Sequence, residues 1–231
     1  MTNLQPQGFL ATPPSGNGQG VLVLHAWWGL NDTLKAYCTR LADAGFIAFA
    51  PDLYRGKVAD KIPDAEALMK ALNKNPEQAQ ADITAATEFL ASRADFSKVG
   101  LAVIGFSLGA MHALDISASD PEHIRAVVVY YGNTEGVDFS TSKASYLGHF
   151  AEKDDFEEGA YTDPEQIIRE RAYIDALEQT IRDAGRPVTF HHYPGTGHWF
   201  AEPDRKDAYS QAAANLAWDR TLAFLKNPSN S

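Results

Sequence analysis

Short apolar runs alternate with helix-period stretches along most of the chain. Residues 21–24 (Val-Leu-Val-Leu) form a continuous apolar run, after which Leu34, Cys38 and Leu41 fall at helical spacing before Gly45. Residues 46–50 read as a buried strand closed by Pro51, 64–72 and 82–91 as helices, and 99–104 as another strand. The pattern continues with a helix over 109–117, a strand over 126–131, a weaker strand over 145–150, and a strand over 188–193. Asp163 before Pro164, with Gln166 placed to close a capping box, predicts a helix running to about Asp183. A last helix is expected over 207–225, and a short first strand over 9–11. The strand runs are continuous rather than alternating, as parallel strands covered on both faces require. The expected architecture is one α/β domain over 1–231, with a mostly parallel central sheet and helices on both faces. Residues 1–7 and 227–231 read as frayed ends.

Composition narrows the function classes. A length of 231 residues fits one large domain, and 45% hydrophobic with 22% charged residues is ordinary for a globular chain. The formal net charge of −10 opposes nucleic acid and anionic membrane as partners. Cys38 is the single cysteine, so no intrachain disulfide is possible, and its place on the first helix's apolar stripe predicts an inert thiol. The first residues carry no basic region followed by an apolar run, and no run is long enough to span a bilayer. The expectation is a cytoplasmic protein, monomer or homodimer, acting on a small molecule. No H-E-x-x-H, C-x-x-C, P-loop or dinucleotide fingerprint occurs, so neither metal nor cofactor is expected.

The chemistry concentrates on Gly105-Phe106-Ser107-Leu108-Gly109, a G-x-S-x-G pattern. Chance supplies that pattern in roughly one chain in ten of this length, so its setting matters more than its letters. It follows an apolar strand and opens a helix, the context of a nucleophile elbow. Gly105, Gly109 and Ala110 are small enough for strand and helix to approach. The Leu108 N–H then sits at a helix N-terminus, able to donate to a developing oxyanion. A serine needs a base. Of seven histidines, His198 lies in the Gly/Pro loop 193–200, directly after a strand, where open α/β sheets place catalytic groups. His191 and His192 lie within that strand, His112 on the helix after the serine, His123 in a polar turn, and His149 before its loop. The acid is expected between serine and histidine, after the strand 145–150, and the residues alone leave Asp154 and Asp155 both open. The order nucleophile, acid, histidine is that of the α/β-hydrolases and of neither protease order.

With those residues in view, the chain resembles the dienelactone hydrolase family over nearly its whole length after residue 20. The resemblance rests on His25-Ala26-Trp27-Trp28-Gly29-Leu30-Asn31, Ala50-Pro51-Asp52-Leu53-Tyr54, the elbow, Glu152-Lys153-Asp154 and Gly197-His198-Trp199-Phe200-Ala201. It implies an α/β-hydrolase fold, Asp154 as the acid, and the Trp27 N–H as second oxyanion donor. Founding members carry a cysteine nucleophile where Ser107 stands, and an activating glutamate where Ala26 stands. These two departures agree, since a serine needs only its histidine. Those members also bind a substrate carboxylate with arginines. One lies four residues past the histidine, here Glu202, and residues 58–92 contain none, although Arg205 offers a cation nearby.

The resulting expectation is a lidless serine hydrolase of small esters or lactones, with Ser107, Asp154 and His198 as the triad. Leu108 and Trp27 supply the oxyanion hole, and Trp28, Phe106, Trp199 and Phe200 the pocket. Two other readings share these residues. One is a thioesterase, peptidase or acyltransferase with the same triad. The other is a non-catalytic binding protein that retains the fold.

Overall fold

The computed structural model describes residues 4–94, 100–154 and 164–228. Seven strands form one sheet: β1 (Gly8–Ala11), β2 (Gly20–Leu24), β3 (Ile47–Pro51), β4 (Leu101–Phe106), β5 (Ile124–Tyr130), β6 (Ser145–Ala151) and β7 (Val188–Tyr193). Their order is β1-β3-β2-β4-β5-β6-β7, with β1 antiparallel at one edge and the other neighbours parallel. Every residue of β2, β3, β4 and β6 is buried, which is why β2, β3 and β4 read as unbroken apolar runs, whereas β6 carries Ser145 and His149 and reads more weakly.

Helices cover both faces. On one side α1 (Asp32–Asp43) and α6 (Gln211–Lys226) bring Leu34, Leu41, Trp218 and Phe224 against Val21, Val23 and Ile104. On the other, α3 (Pro76–Ala91), α4 (Leu108–Ser119) and α5 (Pro164–Asp183) bring Phe89, Leu114 and Ile181 against Leu22, Leu24 and Val103. Alternate residues of one strand thus feed two cores, as a pleated strand dictates. A further helix, α2 (Ile62–Asn73), leads into α3. Cys38 is fully buried, and burial pushes its thiol up to about 12, which keeps it an inert core residue.

Local chemistry sets the ends of the elements. Asn31 caps α1 by accepting the Leu34 N–H at 3.1 Å, and Gly45 takes φ +97° just past the helix. Helix α3 begins at Pro76, six residues before the expected start, because proline at the first turn loses no hydrogen bond. The last helix starts at Gln211 behind a Ser210 cap, so 207–210 form its approach rather than its first turn. The cap expected at Asp163 lies outside the described residues, as does the Gln166 side chain. Between β5 and β6 the chain makes only the 3-10 turn Phe139–Thr141 and loops, with no inserted domain.

The topology selects where a ligand fits. From β2 the chain crosses to β3 on one side, while β4 lies on the other side of β2. The loops leaving β2 and β4 therefore run to opposite faces and open a crevice at the carboxyl ends of those strands. Trp27 follows β2 there, and Ser107 follows β4.

The strand-to-helix turn tolerates nothing larger than glycine at two points. A Cβ on Gly105 would press on the Gly109 carbonyl oxygen and lie 2.6 Å from the Ala110 Cα; one on Gly109 would lie 2.8 Å from the His25 carbonyl oxygen. All three atoms are backbone and cannot rotate away. Gly105→Ala is therefore expected to destabilise the fold by about 3 kcal/mol or more, the upper end for overpacking. Urea unfolding of the variant checks this; an unchanged midpoint would mean that the helix can slide off β4.

Candidate active site

Ser107 links β4 to α4 in a conformation that few side chains adopt, φ 50° and ψ −113°. Such backbone persists only where its surroundings over-determine it. Here the Ser107 N–H donates to the Tyr130 carbonyl at 2.9 Å, and the Ser107 carbonyl accepts the Ala110 N–H at 2.8 Å. The turn leaves the hydroxyl at the carboxyl edge of the sheet. It also makes the Leu108 N–H the first of α4, where no intrahelical acceptor exists.

Two further loops converge on that hydroxyl. The loop after β7 is folded by Thr196, whose hydroxyl donates to the Tyr193 carbonyl at 2.7 Å. It is tied to the loop after β6, because the Lys153 N–H donates to the Thr196 carbonyl at 2.9 Å and the Gly195 N–H to the Glu152 carboxylate at 2.8 Å. These bonds bring Asp154 and His198 together from the loops after two adjacent parallel strands, β6 and β7. His198 Nε2 lies 2.9 Å from Ser107 Oγ, and His198 Nδ1 lies 2.5 Å from Asp154 Oδ1. All three side chains are shielded: Ser107 and His198 are 7% and 5% exposed, and the Asp154 side chain 9%. With a carboxylate at Nδ1, the proton belongs on that nitrogen, and Nε2 faces the serine as an acceptor. Asp155 lies outside the described residues.

The β2 loop is held from below by His25. Its Nδ1–H donates to the Ala26 carbonyl at 2.7 Å, and its Nε2 accepts the Leu53 N–H at 3.3 Å. Complete burial lowers its pKa to about 4, so it crosslinks the loops as a neutral ring. Trp27 follows, stacked at 6.1 Å on Trp199.

The hydroxyl opens into a cavity of about 250 Å³ lined by Trp27, Met69, Leu108, Met111, Tyr131 and Phe150, with Asn133 as a polar wall group. Among the described residues, no lysine or arginine lines it. Four aromatics expected as pocket walls stand elsewhere. Phe106 faces the α1 side of the sheet, stacked on Tyr130 at 4.6 Å, since strand alternation turns it away from Ser107. Phe200 is wholly buried against Tyr131 and Tyr193. Trp28 and Trp199 pack on each other at 5.3 Å, behind Trp27. The walls come from the loop after β2, α2, α4 and the ends of β5 and β6. Met111 was findable, being one helical turn past Ser107 and so on its face; Tyr131 and Asn133 follow a strand at its carboxyl end. Met69 carries no local signal.

The strand histidines are accounted for by packing. His149 is buried, bonded through Nδ1 to the Tyr193 hydroxyl at 2.8 Å and through Nε2 to Thr221 at 3.0 Å, and burial drives its pKa well below the usual value. His192 lies 3.8 Å from Asp175, and His191 stacks on His149. Arg205, the cation expected nearby, pairs with Asp204 at 2.7 Å and covers the Trp28 ring at 4.1 Å, away from the cavity.

Glu202 is the acid that the sequence did not mark as buried. It is 1% exposed and accepts the Tyr131 hydroxyl at 2.8 Å. Burial pushes its pKa up to about 7, the Tyr131 bond opposes that rise, and Asp204 adds to it. Relative to an unfolded value of 4.5, the raised pKa gives stability that is present below pH 4.5 and lost as pH rises through 7. A glutamine in the same place does not titrate. Glu202→Gln is thus expected to gain on the parent by about 3 kcal/mol between pH 4.5 and 8, from the 1.36 kcal/mol carried by each pKa unit. Urea unfolding at pH 5 and pH 8 measures this, and a difference that stays flat with pH would refute it.

Known proteins share this architecture. The family model described as the dienelactone hydrolase family matches residues 7–229. Protein usf of Aquifex pyrophilus is 34% identical over 226 residues, covering 95% of this chain and 92% of the relative. Among solved structures, the dienelactone hydrolase-like promiscuous phosphotriesterase P91 from metagenomic libraries superposes with a TM-score of 0.75 at 21% identity, over 91% of this chain and 87% of its own. Dienelactone hydrolase from Anabaena variabilis ATCC 29413 does so with a TM-score of 0.63 at 18% identity, over 96% and 99%. The two superpositions are likenesses of fold, whereas the match over almost the entire length assigns the chain, with its α/β-hydrolase sheet, to the dienelactone hydrolase family of hydrolases.

Proposed function

We propose that the protein hydrolyses small uncharged esters or lactones through an acyl-enzyme on Ser107. The observation that carries this reading is the hydrogen-bonded chain from Ser107 Oγ through His198 to Asp154, with distances of 2.9 and 2.5 Å. Ser107 Oγ attacks the carbonyl carbon while its proton passes to His198 Nε2. The carbonyl electron pair moves to oxygen, which the Leu108 and Trp27 N–H groups receive. Removing one such donor typically costs about a hundredfold or more in turnover. The carbon–oxygen bond to the leaving group then breaks, and His198 returns the proton to the departing alkoxide. A water, deprotonated by His198, attacks the acyl carbon, and collapse releases the acid and restores Ser107. Asp154 holds the Nδ1–H tautomer and stabilises the imidazolium.

The cavity supports the substrate class. Beyond the triad, its described walls are mostly apolar (thioether, indole, phenyl, phenol and isobutyl groups) with the Asn133 amide as a polar one, and no lysine or arginine among them would bind a substrate carboxylate. A volume of about 250 Å³ suits a short acyl group or a small ring. The discriminating experiment is pre-steady-state hydrolysis of p-nitrophenyl acetate. A burst of about one p-nitrophenolate per chain, absent in Ser107→Ala, supports the acyl-enzyme. An undiminished burst in that variant refutes it.

A further inference from the structure

Ser107, His198 and Asp154 complete the proposed relay and leave a buried ionisable group beside it without a task. Glu202 lies one short turn past His198, its N–H donating to the Trp199 carbonyl at 2.9 Å. Its Oε1 accepts the Tyr131 hydroxyl at 2.8 Å, while Oε2 has no hydrogen-bond partner among the described residues. Leaving a polar atom buried in this way is unfavourable, and a leucine would avoid it. The Tyr131 ring in turn packs against the His198 imidazole, with centroids 4.9 Å apart, and walls the cavity. Tyr131 holds this place with a left-handed backbone, φ 37°, fixed by its N–H bond to the His149 carbonyl at 2.9 Å.

We propose that Glu202 is a positioning residue for His198. Once ionised, it places a second buried anion behind the Tyr131 ring and favours the imidazolium that forms as Ser107 gives up its proton. This rests on the reading of Ser107 and His198 given above. Asp154 already bonds Nδ1 and Ser107 faces Nε2, so Glu202 acts on the ring through space and through the Tyr131 contact. The groups facing it come from three places. Tyr131 comes from the end of β5, His198 from the loop after β7, and Asp204 and Arg205 from its own loop. The Arg205 guanidinium is already engaged by Asp204 at 2.7 Å, so among the described residues no direct ion pair fixes the charge of Glu202. Burial delays ionisation of the carboxyl to about pH 7. Below that pH it is neutral and gives the imidazolium nothing; above it the full field acts. Interaction between the two groups is reciprocal, so a charged ring also promotes ionisation of the carboxyl.

The signature is a ratio of rates that depends on pH. Values of kcat/KM for p-nitrophenyl acetate would be measured from pH 5 to 9 in the parent and in Glu202→Gln, which keeps the shape and an acceptor for Tyr131. The two should agree within about twofold at pH 5.5, and the parent should be about tenfold faster above pH 8, mostly in kcat, for about 1.4 kcal/mol of transition-state stabilisation. Tyr131→Phe keeps the ring and the carboxyl but removes the donor that favours the ionised form, so the rise should move to higher pH. A parent-to-variant ratio constant across pH would mean a merely structural residue and overturn the proposal. A rise that stays in place in Tyr131→Phe would overturn it as well, and decides the matter alone if Glu202→Gln does not fold by circular dichroism. Ser107→Ala separates the two levels. If it abolishes the burst while the ratio is flat, only the role of Glu202 fails; if it remains active, the nucleophile reading fails first.

Discussion

A Ser107→Ala variant is expected to turn over p-nitrophenyl acetate about 10⁶-fold more slowly than the parent, with KM little changed, since acyl transfer without its nucleophile falls back on the oxyanion donors and binding alone. His198→Ala should lose a comparable factor, because a serine hydroxyl with no base at 2.9 Å is a poor nucleophile. The double variant is the informative one. Groups that act as a unit are far from additive, so Ser107→Ala/His198→Ala should be no slower than either single variant. If the losses multiplied, the two residues would be acting independently, contrary to a shared proton. Neither change should disturb folding much: alanine fits the Ser107 site, which is closed by backbone bonds to Tyr130 and Ala110 rather than by the hydroxyl. Circular dichroism of each variant checks that point, and retention of activity in folded Ser107→Ala would remove the mechanism.

Much of this site is legible in the sequence, for identifiable reasons. Strands β2 and β4 are buried on both faces, so their sequences are unbroken apolar runs, whereas β6 keeps a buried His149 satisfied by Tyr193 and Thr221 and so reads more weakly. The serine stood out because a sharp strand-to-helix turn admits only small neighbours, and Gly105 and Gly109 meet backbone at close range. His198 was separable from six other histidines because loops at the carboxyl ends of strands carry ligands, whereas His149, His191 and His192 lie within strands. The walls of the cavity were not legible in the same way. Nearness in sequence to the serine pointed to Phe106, yet strand alternation turns that ring to the opposite face, against Tyr130. Met69 reaches the cavity only because α2 is laid across it by the β3–β4 crossover, a consequence of tertiary packing with no local trace. Glu202 is the sharpest example. A glutamate in a polar turn reads as solvated, and its burial depends on Tyr131 arriving from a strand 71 residues earlier.

Sequence also left Asp154 and Asp155 side by side, and a pair of substitutions decides between them. Asp154→Asn should lower kcat by about 10²- to 10⁴-fold, the range set by losing the residue that fixes the imidazole tautomer. An asparagine amide pointed at Nδ1 donates where it should accept, so the ring proton moves to Nε2, the nitrogen that must receive the serine proton. The effect should fall on kcat, since Ser107 and the apolar walls that bind substrate are unchanged. The 2.5 Å contact leaves no room for a second carboxyl at Nδ1, so Asp155→Asn should stay within about twofold of the parent. A large loss in Asp155→Asn together with an active Asp154→Asn would reassign the acid to its neighbour. If both variants stayed active, the imidazole would need no carboxylate at all, and the bond between Asp154 and His198 would be a structural tie between the β6 and β7 loops. That second outcome carries its own signature, because a tie matters to unfolding: Asp154→Asn would then lose stability without losing rate. The expected result is the reverse, a large loss of rate in a protein that still folds.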